Sequence, residues 1–311
     1  MIITIWKETI MAFGLRRDGI ALALVCAGAA AAGPARASEG MFSRVYTADL
    51  TPAGHVEIEQ VVRERAGRVF GHYDATDLRT EVEYGVTDNF QAALYVNANR
   101  MHATRTSDDD DDHADTGFTR HNVTLESIST EFVYRALSPY KSRHGWGLAL
   151  YLEPEYAFHD LHNGLRYAPG TFSLEGRAIV QKNFAQDRVI VAYNLVLEAE
   201  SIRFAGRPDT NSELDWNNEL GVTYRVAPRV FVGGEFRNHN EYGNFTHHEH
   251  SVYWAGPVVH YADQHLWATL GLLRQFAGDP GHDEDGNDIG NRLFLRSHER
   301  NELTFKLGIP L

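Results

Sequence analysis

Four histidines crowd one short stretch, His239, His247, His248 and His250, with Glu241 and Glu249 among them. Imidazoles at that density can hold zinc, copper or nickel. In an extended chain His247 and His248 point to opposite sides, so a single ion needs a turn to gather them. The stretch therefore reads first as exposed loop histidines, with a metal site on His239, His247, His248 and His250 as the sharper alternative. Two acid runs pose the same choice. Asp108 to Asp112, followed by His113 and Asp115, offers hard oxygen ligands of the kind that concentrate calcium or magnesium. A second run extends from His282 to Asp288. Neither has the D-x-[DN]-x-[DN]-G spacing closed by a glutamate at the twelfth position, so both read as solvated polar loops.

Catalytic motifs are missing. The chain contains no HExxH, no GxSxG, no phosphate-cradling glycine loop and no dinucleotide fingerprint. Ser127 and Ser129 share one predicted strand, while His121, His144 and His159 lie elsewhere. Spacing pairs no serine with a histidine, and such triads are defined by geometry. No catalytic residue is assigned, and an outer-membrane hydrolase stands only as an alternative. Nor is any cofactor implied.

The first residues look like an export signal. Arg16 and Arg17 supply a basic start, Ile20 to Ala32 is apolar and alanine-rich, and Ala35-Arg36-Ala37 has the small-x-small pattern of a cleavage site. Residues 1–37 are thus read as a signal peptide with Ser38 as the mature N-terminus, and Met11 would serve equally as a start. The apolar stretch falls short of the roughly 20 residues that span a bilayer. Cys26, the sole cysteine, follows Leu24 and Val25, poor company for lipid attachment. A chain cleaved after Ala37 would have no thiol, which excludes disulfides, iron–sulfur clusters and cysteine nucleophiles. Cleavage would also remove four bases and two acids, taking the formal charge from −13 to −15. Without a basic cluster, nucleic acid is not a partner.

The elements that must carry these residues alternate with period two. In Leu214–Val226, Leu214, Trp216, Leu220, Val222, Tyr224 and Val226 share a face with Asn218, opposite Glu213, Asp215, Asn217, Glu219, Thr223 and Arg225. Leu78, Val82, Tyr84 and Val86 likewise oppose Arg79, Glu81 and Glu83, and Leu303, Phe305, Leu307, Ile309 and Leu311 oppose Arg300, Glu302, Thr304 and Lys306. The connections fall into two classes. Short ones are read at 50–54, 86–89, 138–145, 183–188, 226–229 and 262–265, and long polar ones at 65–72, 100–117, 159–169, 204–212, 238–249 and 277–296. Short turns at one end and long loops at the other describe a transmembrane barrel with the short end periplasmic. Hydrocarbon cannot hydrogen-bond a sheet edge, so such a sheet must close.

The expected fold is therefore all-β: a single transmembrane antiparallel β-barrel over residues 54–311, of twelve strands, with ten to fourteen allowed by boundaries good to about three residues. An even count puts both ends on the short-turn side, so residues 38–53 are read as a periplasmic lead-in. Phe90, Trp146, Tyr224, Trp254 and Trp267, near strand ends, are read as interfacial aromatics.

If the apolar face meets lipid, the other lines a lumen. It would carry Glu57, Glu59, Arg63, Arg79, Glu81, Glu83, Glu131, Arg135, Glu153, Glu155, Glu175, Arg177, Glu198, Glu200, Asp215, Glu219, Arg225, Glu235, Arg237, Arg300, Glu302 and Lys306. That charge density does not suit an apolar core. It suits a hydrated, weakly cation-preferring pore for small solutes or, alternatively, a lumen closed by ion pairs with the loops as working parts. The expected partners are outer-membrane lipid and lipopolysaccharide, the outer-membrane assembly machinery and small solutes.

The passage Gly54-His-Val-Glu-Ile-Glu-Gln60, followed by Leu78-Arg-Thr-Glu-Val-Glu-Tyr-Gly-Val-Thr-Asp-Asn-Phe90, resembles a family of uncharacterised proteobacterial outer-membrane β-barrels. More loosely it is similar to channel-type proteins found near aromatic-degradation operons, in which an E-Y-G-(V/L)-T-D turn precedes an apolar strand. The resemblance runs from about residue 41 to the C-terminus. It implies a barrel and small-molecule passage, and it carries over no catalytic or binding residue.

Overall fold

The structure, a computed structural model, describes residues 40–106, 118–160, 164–206, 210–279, 281–282, 288–289 and 292–311. The signal-peptide reading, Cys26 and the acid run at 108–115 lie outside the described residues, as does most of the run at 282–288.

The alternating segments form the strands β1 (Val56–Ala66), β2 (His72–Thr87), β3 (Phe90–Thr106), β4 (Phe118–Leu137), β5 (Trp146–His159), β6 (Arg166–Phe184) and β7 (Val189–Ile202). They continue with β8 (Asn211–Ala227), β9 (Val230–Gly243), β10 (His247–Ala262) and β11 (Trp267–Gly278). A two-residue hairpin, β12 (Gly281–His282) with β13 (Asp288–Ile289), precedes β14 (Asn301–Pro310). Twelve of these strands close one barrel, each next to its sequence neighbour, with β14 between β11 and β1. All pairs are antiparallel, and β1 meets β14 in continuous register from Glu57↔Pro310 to Ala66↔Asn301.

The outer face is apolar because the pleat puts every second side chain there. Leu94 is 57% exposed and Leu150 55%, with Val82, Leu174, Val222 and Leu270 exposed in the same way. Such a band is stable only against hydrocarbon. Tyr84, Tyr134, Trp146, Phe184 and Tyr224 ring its short-turn end. Trp254 and Trp267 do not join them. Both are wholly buried on the inner side, where their indole N–H groups donate to the Glu299 carbonyl at 3.1 Å and to Glu57 Oε1 at 2.7 Å. An indole fits inside when its single donor finds an acceptor.

The short turns fall where expected, the one between β6 and β7 built on left-handed backbone at Ala185, Gln186 and Asp187. The far ends differ. The predicted loop at 238–249 is a hairpin with only residues 244–246 outside the strands, and Asn244 and Phe245 supply its positive φ angles. Crossing a bilayer takes roughly 9–11 tilted residues, and β4 has 20. Strands this long project beyond the lipid, where polar side chains are tolerated on both faces. Polarity in 238–249 therefore marks an emerging hairpin, held by rungs such as Asn218 Nδ2 to Asn238 Oδ1 at 3.1 Å.

Candidate functional site

The interior is polar, as the alternation requires, but it is not empty. The lead-in expected at 38–53 is not a free periplasmic segment: from residue 40 it runs through the short-turn half of the lumen as a strap. Its backbone is held by inward side chains of successive strands. The amides of Ser43 and Arg44 donate to Glu235 at 3.0 and 2.9 Å. Tyr46 exchanges two bonds with the Asn194 amide, at 2.6 and 2.9 Å. Ala48 N–H donates to Gln181 Oε1 at 2.7 Å and Thr51 N–H to Gln91 Oε1 at 2.9 Å. A buried backbone needs such partners, and here β9, β7, β6 and β3 supply them.

Apolar strap residues have seats of their own. Met41, Phe42 and Val45 pack with Ile190, Ala192 and Val258, and Ala48 and Leu50 with Val133, Ala149, Tyr151 and Ile179. Gly221 and Gly271 make the approach possible. A β-carbon on Gly221 would lie 2.5 Å from the Phe42 ring, and one on Gly271 2.5 Å from Ser43 Cβ.

Farther from the short turns lies an ion-pair network. Glu302 accepts from the strap's Arg44 at 2.5 Å and from Arg237 at 3.3 Å, with Arg63 at 3.8 Å. Arg237 lies 3.9 Å from Glu219, which Arg177 reaches at 3.2 Å while also pairing with Glu175 at 2.5 Å. Arg79 pairs with Glu153 at 2.8 Å and lies over the Tyr95 ring, and Lys306 pairs with Glu59 at 2.9 Å. Glu131 accepts from Tyr95 and Gln91, and Thr51 donates to Glu83 beside Glu81 on β2. On the outer half of the wall carboxylates face one another across strands: Glu175↔Glu198↔Asp215, and Glu200↔Glu213, with Glu155 on β5. Arg135 and Arg225 turn toward the short end, where they donate to the carbonyls of Asp88 and Gln186. Arg300 precedes β14 and is exposed, its amide bonded to the Gly67 carbonyl at 2.8 Å. The inward parity of β14 does not extend to it, although its backbone still bridges both neighbours, Gln275 N–H on β11 donating to its carbonyl at 2.8 Å.

A second segment narrows the outer end. Phe294 and Leu295 are buried, Gln275 Nε2 donates to the Phe294 carbonyl at 2.9 Å, and Glu299 lies 3.5 Å from Arg65. Of the four candidate histidines, His239 and His250 meet here on the inner face, with Glu241 and with His298, which the sequence reading missed. Exposed His247 and His248 stand apart from them, and His248 bonds Ser251 Oγ at 2.9 Å. His298 is distant in sequence, and only the closure of β14 against β11 brings its segment back. Two other groups converge: His72, Asp74 and His102 on the exposed ends of β2 and β3, and Glu81, Glu83 and Glu131 beneath the strap. As for the serines, Ser129 donates to Glu153 and Ser127 accepts from Asn97 at 2.8 Å, while His159 contacts the Leu125 carbonyl and the His121 ring lies tilted against His102.

A closed twelve-stranded wall, apolar outside and charged inside, is an outer-membrane β-barrel of porin-like architecture. Residues 34–311 match the family described as "Family of unknown function (DUF6662)", and the chain belongs to it. No curated protein sequence matches it significantly. Among solved structures it is similar to the COG4313 outer membrane channel from Pseudomonas putida F1. That pair shares 11% identity at a TM-score of 0.55, over 91% of this chain and 100% of the other. It is also similar to the NanC porin, with 9% identity, a TM-score of 0.45 and coverage of 82% and 100%. LpxR from Salmonella typhimurium gives 8%, 0.44, 81% and 99%.

Proposed function

We propose that this chain is a narrow outer-membrane channel for passive passage of small solutes, preferring cations, with a Glu/Arg-lined lumen constricted by its own strap. The carrying observation is the pairing of an apolar outer face with an inner face on which carboxylates outnumber the bases facing them. Glu155, Glu198, Glu200 and Asp215 belong to the outer half, ahead of the strap for a solute entering from the loop side. A vestibule of one sign raises the local concentration of counter-ions. Twelve strands enclose less than the 16–18 of a general porin, and the strap narrows that further. The likeness to a COG4313 outer membrane channel is in keeping with this reading. Lipid and lipopolysaccharide would contact the apolar band, with assembly machinery inserting the chain.

The test is single-channel conductance of the refolded chain of residues 38–311 in a planar bilayer. Discrete openings are expected, with cation preference reduced by Glu198→Gln, Glu200→Gln and Asp215→Asn together, and conductance raised by deleting residues 40–51. One observation favours a second reading, a closed structural barrel: the chain of pairs from Arg44 through Glu302, Arg237, Glu219 and Arg177 crosses from strap to wall. A folded barrel that stays silent with and without the strap would establish that alternative and end the channel proposal.

A further inference from the structure

At the outer end of the wall, His239 and Glu241 come from β9, His250 from β10 and His298 from the segment leading into β14. One ligand atom of each lies within 4.8 Å of all the others. His250 Nε2 is 2.8 Å from His298 Nε2 and 3.5 Å from Glu241 Oε2, and His239 Nε2 is 3.7 Å from the same oxygen. All three histidines are buried; His239 is 3% exposed and His250 2%.

We propose that His239, Glu241, His250 and His298 form a structural site for one divalent transition-metal ion of the zinc class, which fastens the inward-folded segment 292–300 to the barrel wall. With metal–nitrogen bonds of about 2.0–2.1 Å, tetrahedral ligand atoms sit roughly 3.3 Å apart. The three separations above bracket that value, so small side-chain movements assemble the shell.

The surroundings are those of a metal site. His239 Nδ1 is 2.7 Å from Asn217 Oδ1. Donation from that nitrogen fixes the tautomer whose Nε2 lone pair faces the cluster, the orienting role an outer-shell acceptor has on a ligating histidine. Asp215 adds a carboxylate 3.8 Å from the same nitrogen. Phe294 stacks on His250 with centroids 4.0 Å apart, and Trp254 stands edge-on to His298 at 5.5 Å. These rings hold the imidazole planes and exclude water.

The donor set selects the ion. Imidazole nitrogens with one carboxylate suit zinc, copper(II) or nickel. Calcium takes six to eight oxygens and magnesium a near-octahedral oxygen shell. Four protein ligands leave no open coordination position, which marks a structural site and not a hydrolytic one. His72, Asp74 and His102 form a weaker rival, one exposed and two half-buried ligands near strand ends.

The experiment therefore uses the refolded chain of residues 38–311 carrying His72→Ala and His102→Ala, stripped with a chelator and titrated with Zn²⁺ or Co²⁺. One ion per barrel is expected, with the intense visible bands of four-coordinate Co²⁺. His298→Ala should weaken binding by more than about a hundredfold, and Asn217→Ala by roughly 10–100-fold as an outer-shell change. His247→Ala with His248→Ala should leave binding unchanged. Zn²⁺ should protect 292–300 from protease in the parent and not in His298→Ala. Absence of stoichiometric uptake by a barrel with normal heat-modifiable mobility would overturn the proposal. So would uptake indifferent to both His298→Ala and His250→Gln. Conductance plays no part in this readout, so it fails or succeeds independently of the channel reading.

Discussion

Filling the Phe42 seat should release the strap without breaking the wall. Gly221→Val puts a branched side chain where a β-carbon alone would sit 2.5 Å from the Phe42 ring. That ring cannot give way easily, because Met41, Val45, Ile190, Ala192 and Val258 surround it. Overpacking of this kind costs roughly 1–3 kcal/mol, which converts to about a 5–150-fold loss in the docked-to-released ratio. The wall itself should gain, since valine suits a strand better than glycine. The refolded chain of residues 38–311 contains no cysteine, so Val45→Cys introduces a single thiol at a buried strap position. Maleimide labelling of that thiol should accelerate by the same factor in the Gly221→Val background, and mean conductance should rise with it. Unchanged labelling in a folded double variant would refute the claim that this seat holds the strap.

Other expectations concern the network and the turns. Glu302→Gln leaves Arg44, Arg63 and Arg237 converging on a neutral amide, and losing one member of a buried network costs about 3–5 kcal/mol. An unfolding free energy in detergent, from denaturant titration, that falls by less than about 1 kcal/mol would show the guanidinium groups to be well hydrated. In the turn after β10, the backbone N–H of His265 and the Tyr261 hydroxyl hold Asp263 down to about 2. Its unfolded value is near 3.9, so the stability it contributes is complete above about pH 4 and is lost as pH falls through 2. Asp263→Asn should therefore lower the midpoint at neutral pH, and the difference from the parent should vanish below pH 2. A pH-independent difference would assign the effect to packing.

The wall was legible because lipid imposes a rule that survives in single residues. Leu214 to Val226 alternates so regularly that inward Glu219 and outward Tyr224 follow from parity alone. The strap was not legible, because nothing in Gly40–Thr51 alternates against lipid, and its partners Gln91, Gln181, Asn194 and Glu235 read equally well as pore lining. A signal did exist in Gly221 and Gly271, inward glycines within otherwise regular strands, since glycine inside a strand can mark close backbone approach. The histidine cluster was half legible. His239 and His250 are neighbours in sequence, but the polarity of 238–249 masks the strand parity that turns both inward, and His298 arrives only through barrel closure.

Those glycines also bear on whether the strap is a built part or a passenger. Each costs its strand roughly 0.5–1 kcal/mol relative to alanine, and a barrel with an open lumen gains nothing in return. The cost is offset only if the strap is docked, where Gly221 admits Phe42 and Gly271 admits Ser43 beside Glu235. The amide side chains of Gln91, Gln181 and Asn194 argue the same way, since each is wholly buried and accepts a strap N–H. Without the strap these groups would face water, and a carboxylate or hydroxyl would serve as well. A strap whose backbone is read by three amides and whose bulk is admitted by two glycines belongs to the working barrel, so any solute passes beside it or displaces it.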